Sequence, residues 1–316
     1  MYMSIHGNSS YINYEFSGHF ESFWFISLAF VPVINVGFIA NLLRLFYSAA
    51  KQKIPTNCSV FFSTVMMVST SLIFSIFDNL TFRIPATGIM TSLCAKVEPN
   101  KWLLWVYILQ LLSTYWSVEF TALFCFVRLI VYKFPQNHQK INKFLVRIYT
   151  PLAIVLPFAA PWFMYPGVGY CRQWNPPMPF GAIFISFSNT LFEIRLDYFY
   201  NLMIGFGCFA IILSNIWLII FATKQAKVSR AISAAFTRST KLSLYSTTLC
   251  MTIPFAAHGI MTILAHLKPS LSGYVIYVRS PLTDIGQTAL LGIYNISAML
   301  RKKTATVAVA ATATTN

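Results

Sequence analysis

Residues 102–131 read WLLWVYILQLLSTYWSVEFTALFCFVRLIV, and this run decides the fold. It carries one acid, Glu119, and one base, Arg128, in an otherwise apolar sequence. An α-helix rising about 1.5 Å per residue crosses a hydrocarbon core of about 30 Å in roughly 20 residues, which this run exceeds. Working outward, six more such runs start at Phe23, Cys58, Phe144, Tyr200, Leu244 and Pro281. The pattern predicts an all-α membrane protein, a seven-transmembrane helix bundle. Its spans cover about 23–46, 58–77, 102–131, 144–165, 200–222, 244–264 and 281–300. Segment 1–22 precedes the bundle and a short tail, 301–316, follows it. The first twenty-two residues are polar and lack Lys and Arg, unlike a cleavable signal, so span 1 is expected to insert uncleaved.

Loop charges orient the bundle. The segments after spans 1, 3, 5 and 7 carry Arg44, Lys51 and Lys53, then Arg128, Lys133, Lys140, Lys143 and Arg147. They continue with Lys224, Lys227, Arg230, Arg238 and Lys241, then Arg301, Lys302 and Lys303. That is sixteen of the 23 basic residues; the other side holds Arg83, Lys96, Lys101, Arg172, Arg195, Lys268 and Arg279. Positive charge marks the cytoplasmic side, so the N-terminus is expected to be extracellular and the C-terminus cytoplasmic. None of the eight acidic residues falls in a cytoplasmic segment.

Composition agrees. The chain is 57% apolar and 10% charged, against roughly 25% charged in soluble domains. Mean hydropathy is +0.63. A net charge of +15 would point to nucleic acid in a soluble protein. Here the bases sit at span ends, where they set topology and meet anionic lipid, so the bilayer and not nucleic acid is the expected partner.

The apolar stretch from Phe180 to Phe192 is too short to span and is followed by Glu193, Arg195 and Asp197. Its length fits a re-entrant or interfacial segment, or an apolar lid in an outer loop. Cys125, Cys208 and Cys250 fall inside spans, and Cys58 at the inner start of span 2. Only Cys94 and Cys171 face the oxidising side. Either they pair, tying span 3 to the second outer loop, or they are two free loop thiols. Asn8, in Asn8-Ser9-Ser10, and Asn79, in Asn79-Leu80-Thr81, are the candidate glycan acceptors on that side.

Gln110, Thr114, Ser117, Thr121 and Arg128 follow spacings of 4, 3, 4 and 7, one face of a helix. A polar stripe in lipid turns inward to find partners. Its ends lie about 27 Å apart. The bland alternative is interhelical packing, worth about 0.6 kcal/mol per bond. Glu119 falls near the opposite side, where it either serves function or anchors span 4. In span 6, Pro254 removes a backbone hydrogen bond and is a candidate hinge. His258, Thr262 and His266 follow it on one face, and span 7 adds Asp284 and Gln287. His258 and His266 lack a third ligand, so no metal and no cofactor is expected.

The segment Arg128-Leu-Ile-Val-Tyr-Lys-Phe-Pro135 resembles the end of helix 3 in rhodopsin-like G-protein-coupled receptors. Asn41, Pro55-Thr56-Asn57 and Pro254 are similar to other marks of that superfamily. The departures are specific. Val127 replaces the acid before the Arg, and the helix 2 sodium-site acid falls near Met67. Thr252 replaces a Trp, and Asn-Pro-x-x-Tyr is missing around Tyr294. Cys94, 34 residues before Arg128, is further out than the usual helix 3 Cys. With the segment from Ile5-His6-Gly7-Asn8 to Tyr11-Ile12-Asn13-Tyr14-Glu15-Phe16, the chain resembles nematode serpentine chemoreceptors of the class gamma superfamily, class U.

That resemblance implies a chemosensory receptor in the plasma membrane, with the sensory cilium among the expected sites, coupled to a heterotrimeric G protein. Arg128 would be its cytoplasmic switch. A small ligand would enter near Gln110, Thr114, Tyr200, His258, His266, Asp284 and Gln287. Gln110 stands where amine receptors carry an Asp, which disfavours a biogenic amine. An odour-gated channel is the first alternative, but no filter sequence appears. A transporter using Glu119 or Asp284 as a proton site is the second, but no repeated half appears. No nucleophile–base pattern points to an enzyme. The Thr residues of the tail read as a low-complexity segment, with phosphorylation as the alternative.

Overall fold

The computed structural model describes residues 4–16, 22–51, 59–134, 136–176, 178–188 and 196–228, and beyond these only Thr252, Ala256, Ile260, Leu264 and Lys268. Within these residues the chain is helical apart from one β-hairpin. In order run α1 (Ser9–Ile12), α2 (Ser22–Ala50), α3 (Ser59–Asp78), a π-turn (Asn79–Arg83), α4 (Ile84–Ala86) and α5 (Thr91–Lys96). Then come α6 (Lys101–Lys133), α7 (His138–Ala159), a 3₁₀ turn (Trp162–Met164), β1 (Val168–Gln173), β2 (Ile183–Ser188) and α8 (Leu196–Val228).

Among the described residues five segments are long and apolar enough to cross a membrane: Val31–Ala50, Ser59–Ala86, Lys101–Lys133, His138–Met164 and Met203–Phe221. They coincide with the first five expected spans. Span 281–300 lies outside the described residues, as does span 244–264 apart from Thr252, Ala256, Ile260 and Leu264.

The run quoted first is the hub. Asn100 caps α6 by accepting a hydrogen bond from the Leu103 amide at 3.0 Å. From there α6 packs against α3, α7 and α8. Leu104, Ile108, Leu111, Leu112 and Tyr115 form one buried cluster with Ile34 and Phe38 of α2, Met67 and Val68 of α3, and Ile204, Cys208 and Ile211 of α8. Gly207 of α8 makes this approach close, because a Cβ there would strike the Val118 side chain.

Three expectations need correction. The second span does not stop at residue 77: the helix continues through the π-turn to Ala86, so Arg83 lies in a helical segment and not in a loop. The described part of the stretch after Phe180 is not helical. Residues Ile183–Ser188 form a strand paired antiparallel with Val168–Gln173, Cys171 opposite Ile185. The bundle is therefore not purely α. Finally, α7 begins at His138, ahead of its apolar span, so Lys140, Lys143 and Arg147 sit on helical turns.

The N-terminal segment is laid onto this hairpin. The Ile5 amide donates to the Cys171 carbonyl at 3.2 Å and the Gly7 amide to the Ala95 carbonyl at 3.0 Å. Ile5 is buried among Cys94, Ala95, Cys171 and Ile183. On the other side, Asn100 and Gly169 exchange two backbone hydrogen bonds of 2.9 Å. Gly169 permits that contact, since a Cβ would fall on the backbone of Leu103 and Leu104. Gly181, with φ at 91°, closes the turn before β2 against the Tyr14 ring.

Candidate functional site

The polar stripe of α6 is buried along its length: Gln110, Thr114, Ser117 and Thr121 are each under a tenth exposed. The Gln110 Nε2 donates to Thr114 Oγ1 at 3.2 Å. Thr114 and Thr121 donate their own hydroxyls to carbonyls one turn earlier, at 2.9 and 2.6 Å. Such back-bonding satisfies a hydroxyl within its own helix, as a Thr facing a packed neighbour requires. Ser117 reaches outward, its Oγ 3.3 Å from Ser71 Oγ of α3. The stripe thus faces α3 at its middle.

Arg128, at the far end of the stripe, is partly buried. Its guanidinium carbon lies 5.2 Å from the centre of the Phe124 ring, a cation–π distance. Buried Cys125 is its neighbour, and Asn215 of α8 is in turn a buried neighbour of Cys125. Val127, where the resemblance leads one to expect an acid, is fully buried with Phe120, Leu123 and Ala153. This position faces the α6–α7 seam, where an ionised carboxylate would be costly without a partner.

Glu119 is on the opposite side of α6 and accepts a hydrogen bond from the Tyr149 hydroxyl of α7. Of the two roles open to it in the sequence, this contact is the anchoring one.

One ionic pair escaped the sequence reading. Arg83 Nε donates to Asp78 Oδ2 at 2.7 Å, with both side chains nearly inaccessible. Five residues apart on an α-helix, the two would point about 140° away from each other. The i→i+5 winding of the π-turn brings them together. Two opposite charges at the end of an apolar run were the available signal, but the π-turn itself has no sequence signature. The same turn overturns Asn79 as a glycan acceptor. Asn79 is buried and its Nδ2 donates to the Ser75 carbonyl at 2.6 Å, so a glycan has no room there. Asn8 is exposed and caps α1, its side chain accepting from the Ser10 amide at 3.0 Å.

Beside the pair stands an aromatic wall built by the hairpin. Trp174 stacks on Phe184 with centroids 4.1 Å apart, and Phe82 of the π-turn lies against both. Tyr107 of α6 continues the wall to Phe187, 5.1 Å away. A disulfide joins Cys94 to Cys171, 77 residues on, with Cα atoms 5.9 Å apart, and ties the end of α5 to β1.

The remaining sequence-derived residues are not brought into this site by the described structure. Tyr200 is in the first turns of α8, its side chain outside the described part. Pro254, His258, His266, Asp284 and Gln287 lie outside the described residues.

The family profile described as serpentine type 7TM GPCR chemoreceptor Sru matches residues 5–294. Serpentine receptor class U-26 of Caenorhabditis elegans is 30% identical over 274 residues, which cover 83% of this chain and 91% of that receptor.

Proposed function

The chain belongs to the Sru family of serpentine-type seven-transmembrane GPCR chemoreceptors, and on that premise we propose that it binds a small, mostly uncharged ligand inside the bundle and activates a heterotrimeric G protein. The membrane spans are the seven at 23–46, 58–77 extended to 86, 102–131, 144–165, 200–222, 244–264 and 281–300. The N-terminus and hairpin are outside, and the tail 301–316 is inside. The protein works in the plasma membrane of a sensory cell, with Asn8 as its glycan site.

The observation that carries this reading is the buried polar stripe of α6 that leads from Gln110 to Arg128. An agonist held by Gln110 and Thr114, with Tyr200, His258, His266, Asp284 and Gln287 from the later spans, meets one end. Arg128 stands at the other, among the basic inner loops that receive the Gα subunit. Agonist affinity that differs between two positions of span 6, hinged at Pro254, shifts the equilibrium between them. The scarcity of charge in an aromatic-rich bundle favours an uncharged ligand, because an unpaired charge in hydrocarbon costs around 2.5–3.5 kcal/mol.

The test is guanine-nucleotide exchange on membranes carrying the wild type or Arg128→Ala, screened with odorant pools. The expected result is agonist-dependent exchange that Arg128→Ala abolishes or reshapes at equal surface expression. Agonist-evoked current without exchange would replace this reading with the channel.

A further inference from the structure

The start of α7 carries a feature that ligand binding does not use. Asn142 is buried and donates its Nδ2 to the Val127 carbonyl of α6 at 3.4 Å. With Ala153 and Pro157, also buried, it defines the face of α7 turned to the bundle. The opposite face is set by helical periodicity. Lys140 and Arg147 stand exposed on it, and Lys143, about 100° round the helix from Asn142, is exposed on its flank. Continuing along this face are exposed apolar side chains: Phe144 at 66% exposure, then Ile148, Val155 and Phe158, with Leu152 on the flank away from Lys143.

The chemistry of this strip is graded along the helix. Its first turns are cationic and aromatic; the rest is purely apolar. From Arg147 to Phe158 the axis advances about 16 Å, close to half of a hydrocarbon core about 30 Å thick. The bases have no acid to answer them locally, because no Asp or Glu occurs between residues 120 and 192. Among the described residues the single salt bridge is Asp78–Arg83. Lys133, by contrast, is turned toward α8, over the rings of Trp217 and Phe221.

We propose that the outward face of α7 is a binding site for one anionic phospholipid of the inner leaflet. Its headgroup is held by Lys140, Lys143 and Arg147, and its acyl chain lies along Phe144, Ile148, Leu152 and Val155. Charge complementarity selects an anionic headgroup, and the length of the apolar strip selects a lipid over a soluble anion. The leaflet assignment rests on the orientation proposed above; the binding does not, since it is tested with the lipid on both sides.

The experiment uses the full chain in nanodiscs of mixed phosphatidylcholine and phosphatidylserine, with the lipid retained through purification measured by mass spectrometry. The wild type should retain phosphatidylserine in excess of its share. K140Q/K143Q/R147Q should lower that excess about a hundredfold, at about fivefold for each lost base. R44Q/K51Q/K53Q, an equal charge loss elsewhere, should leave it in place. Should the first triple variant not fold, its three single substitutions read the same ratio, each with a drop of about fivefold. Phe144→Ala should also reduce retention. The proposal is overturned if the α7 variants retain as much as the wild type, or if the control triple loses as much. It is equally overturned if soluble glycerophosphoserine displaces the lipid at equal concentration, which would leave the apolar strip without a role.

Discussion

The two ends of α6 are held in different ways. At the hairpin end, backbone meets backbone: the segment from Ser4, the loop after α5 and strand β1 share hydrogen bonds, and Cys94–Cys171 closes them covalently. Glycine at 169 lets the strand lie directly on the first turn of α6. At the Arg128 end the links run through side chains. Lys133 sits over Phe134, Trp217 and Phe221 at 5.1 to 5.9 Å, Arg128 over Phe124, and the Asn142 hydrogen bond is long at 3.4 Å. Like charges crowd that end without acids. The contrast is between a cap tied by backbone hydrogen bonds and a disulfide and an end whose helices are joined by side-chain contacts. In the receptor proposed above, that asymmetry would set a fixed frame beside the element that switches.

The contrast breaks or holds on measurable stabilities. The largest loss is expected for Cys94→Ser or Cys171→Ser. Opening a loop of 77 residues releases entropy worth about 4 kcal/mol, read as a fall in the unfolding midpoint of the solubilised receptor and in surface expression. Next comes Asp78→Ala, which leaves the Arg83 charge buried without its carboxylate and should cost about 3 kcal/mol. Adding Arg83→Leu should recover a good part of that cost, and a double-mutant cycle checks it. A cycle without coupling would remove the ion pair from the account of this end.

Gly169→Ala ranks third. The new methyl meets the backbone of Leu103 and Leu104, which has no rotamer to offer, and the displacement should cost about 2 kcal/mol. Gly205→Ala in α8, where a Cβ meets nothing within 4 Å, is the matched control and should be neutral or slightly stabilising in the same thermal assay. The smallest effect belongs to the basic end: Lys133→Ala should cost about 0.5 kcal/mol, since a solvent-exposed cation–π contact is worth little more. A loss there as large as at Gly169 would mean that the two ends are equally rigid.

Much of this architecture was legible before any coordinates. Apolar run length located the five long helices, since crossing a membrane is a demand that each segment meets by its own composition. The compartment argument left Cys94 and Cys171 as the single candidate pair, and these are the two that the structure joins. The helical spacing of Gln110, Thr114, Ser117 and Thr121 gave a face that is indeed buried. Glu119 falls near the far side of α6, where a functional role and an anchor for span 4 are both open in the sequence, and the structure gives it Tyr149 of α7 as a hydrogen-bond partner.

What escaped the reading escaped for stated reasons. Hydropathy marks where lipid begins, not where a helix does, so the first turns of α7 were placed in a loop. The apolar residues of β2 gave no period long enough to tell a strand from a re-entrant or interfacial segment, and their partner strand begins fifteen residues earlier at Val168. Asn79 satisfied a three-residue acceptor pattern, but a pattern carries no information about burial. Asp78 and Arg83 are a poor pair on a regular helix and a good one on a π-turn.

By itself, then, the sequence determined the membrane habit, the family, the polarity of charge between the two ends and the inward face of α6. These follow from composition and spacing within single segments, where each residue's transfer free energy acts locally. Only the tertiary structure decided the ion pair of the π-turn, the strand register, the docking of Ile5 and the outward row on α7. Each of these depends on which distant segments meet, and no local free energy specifies that.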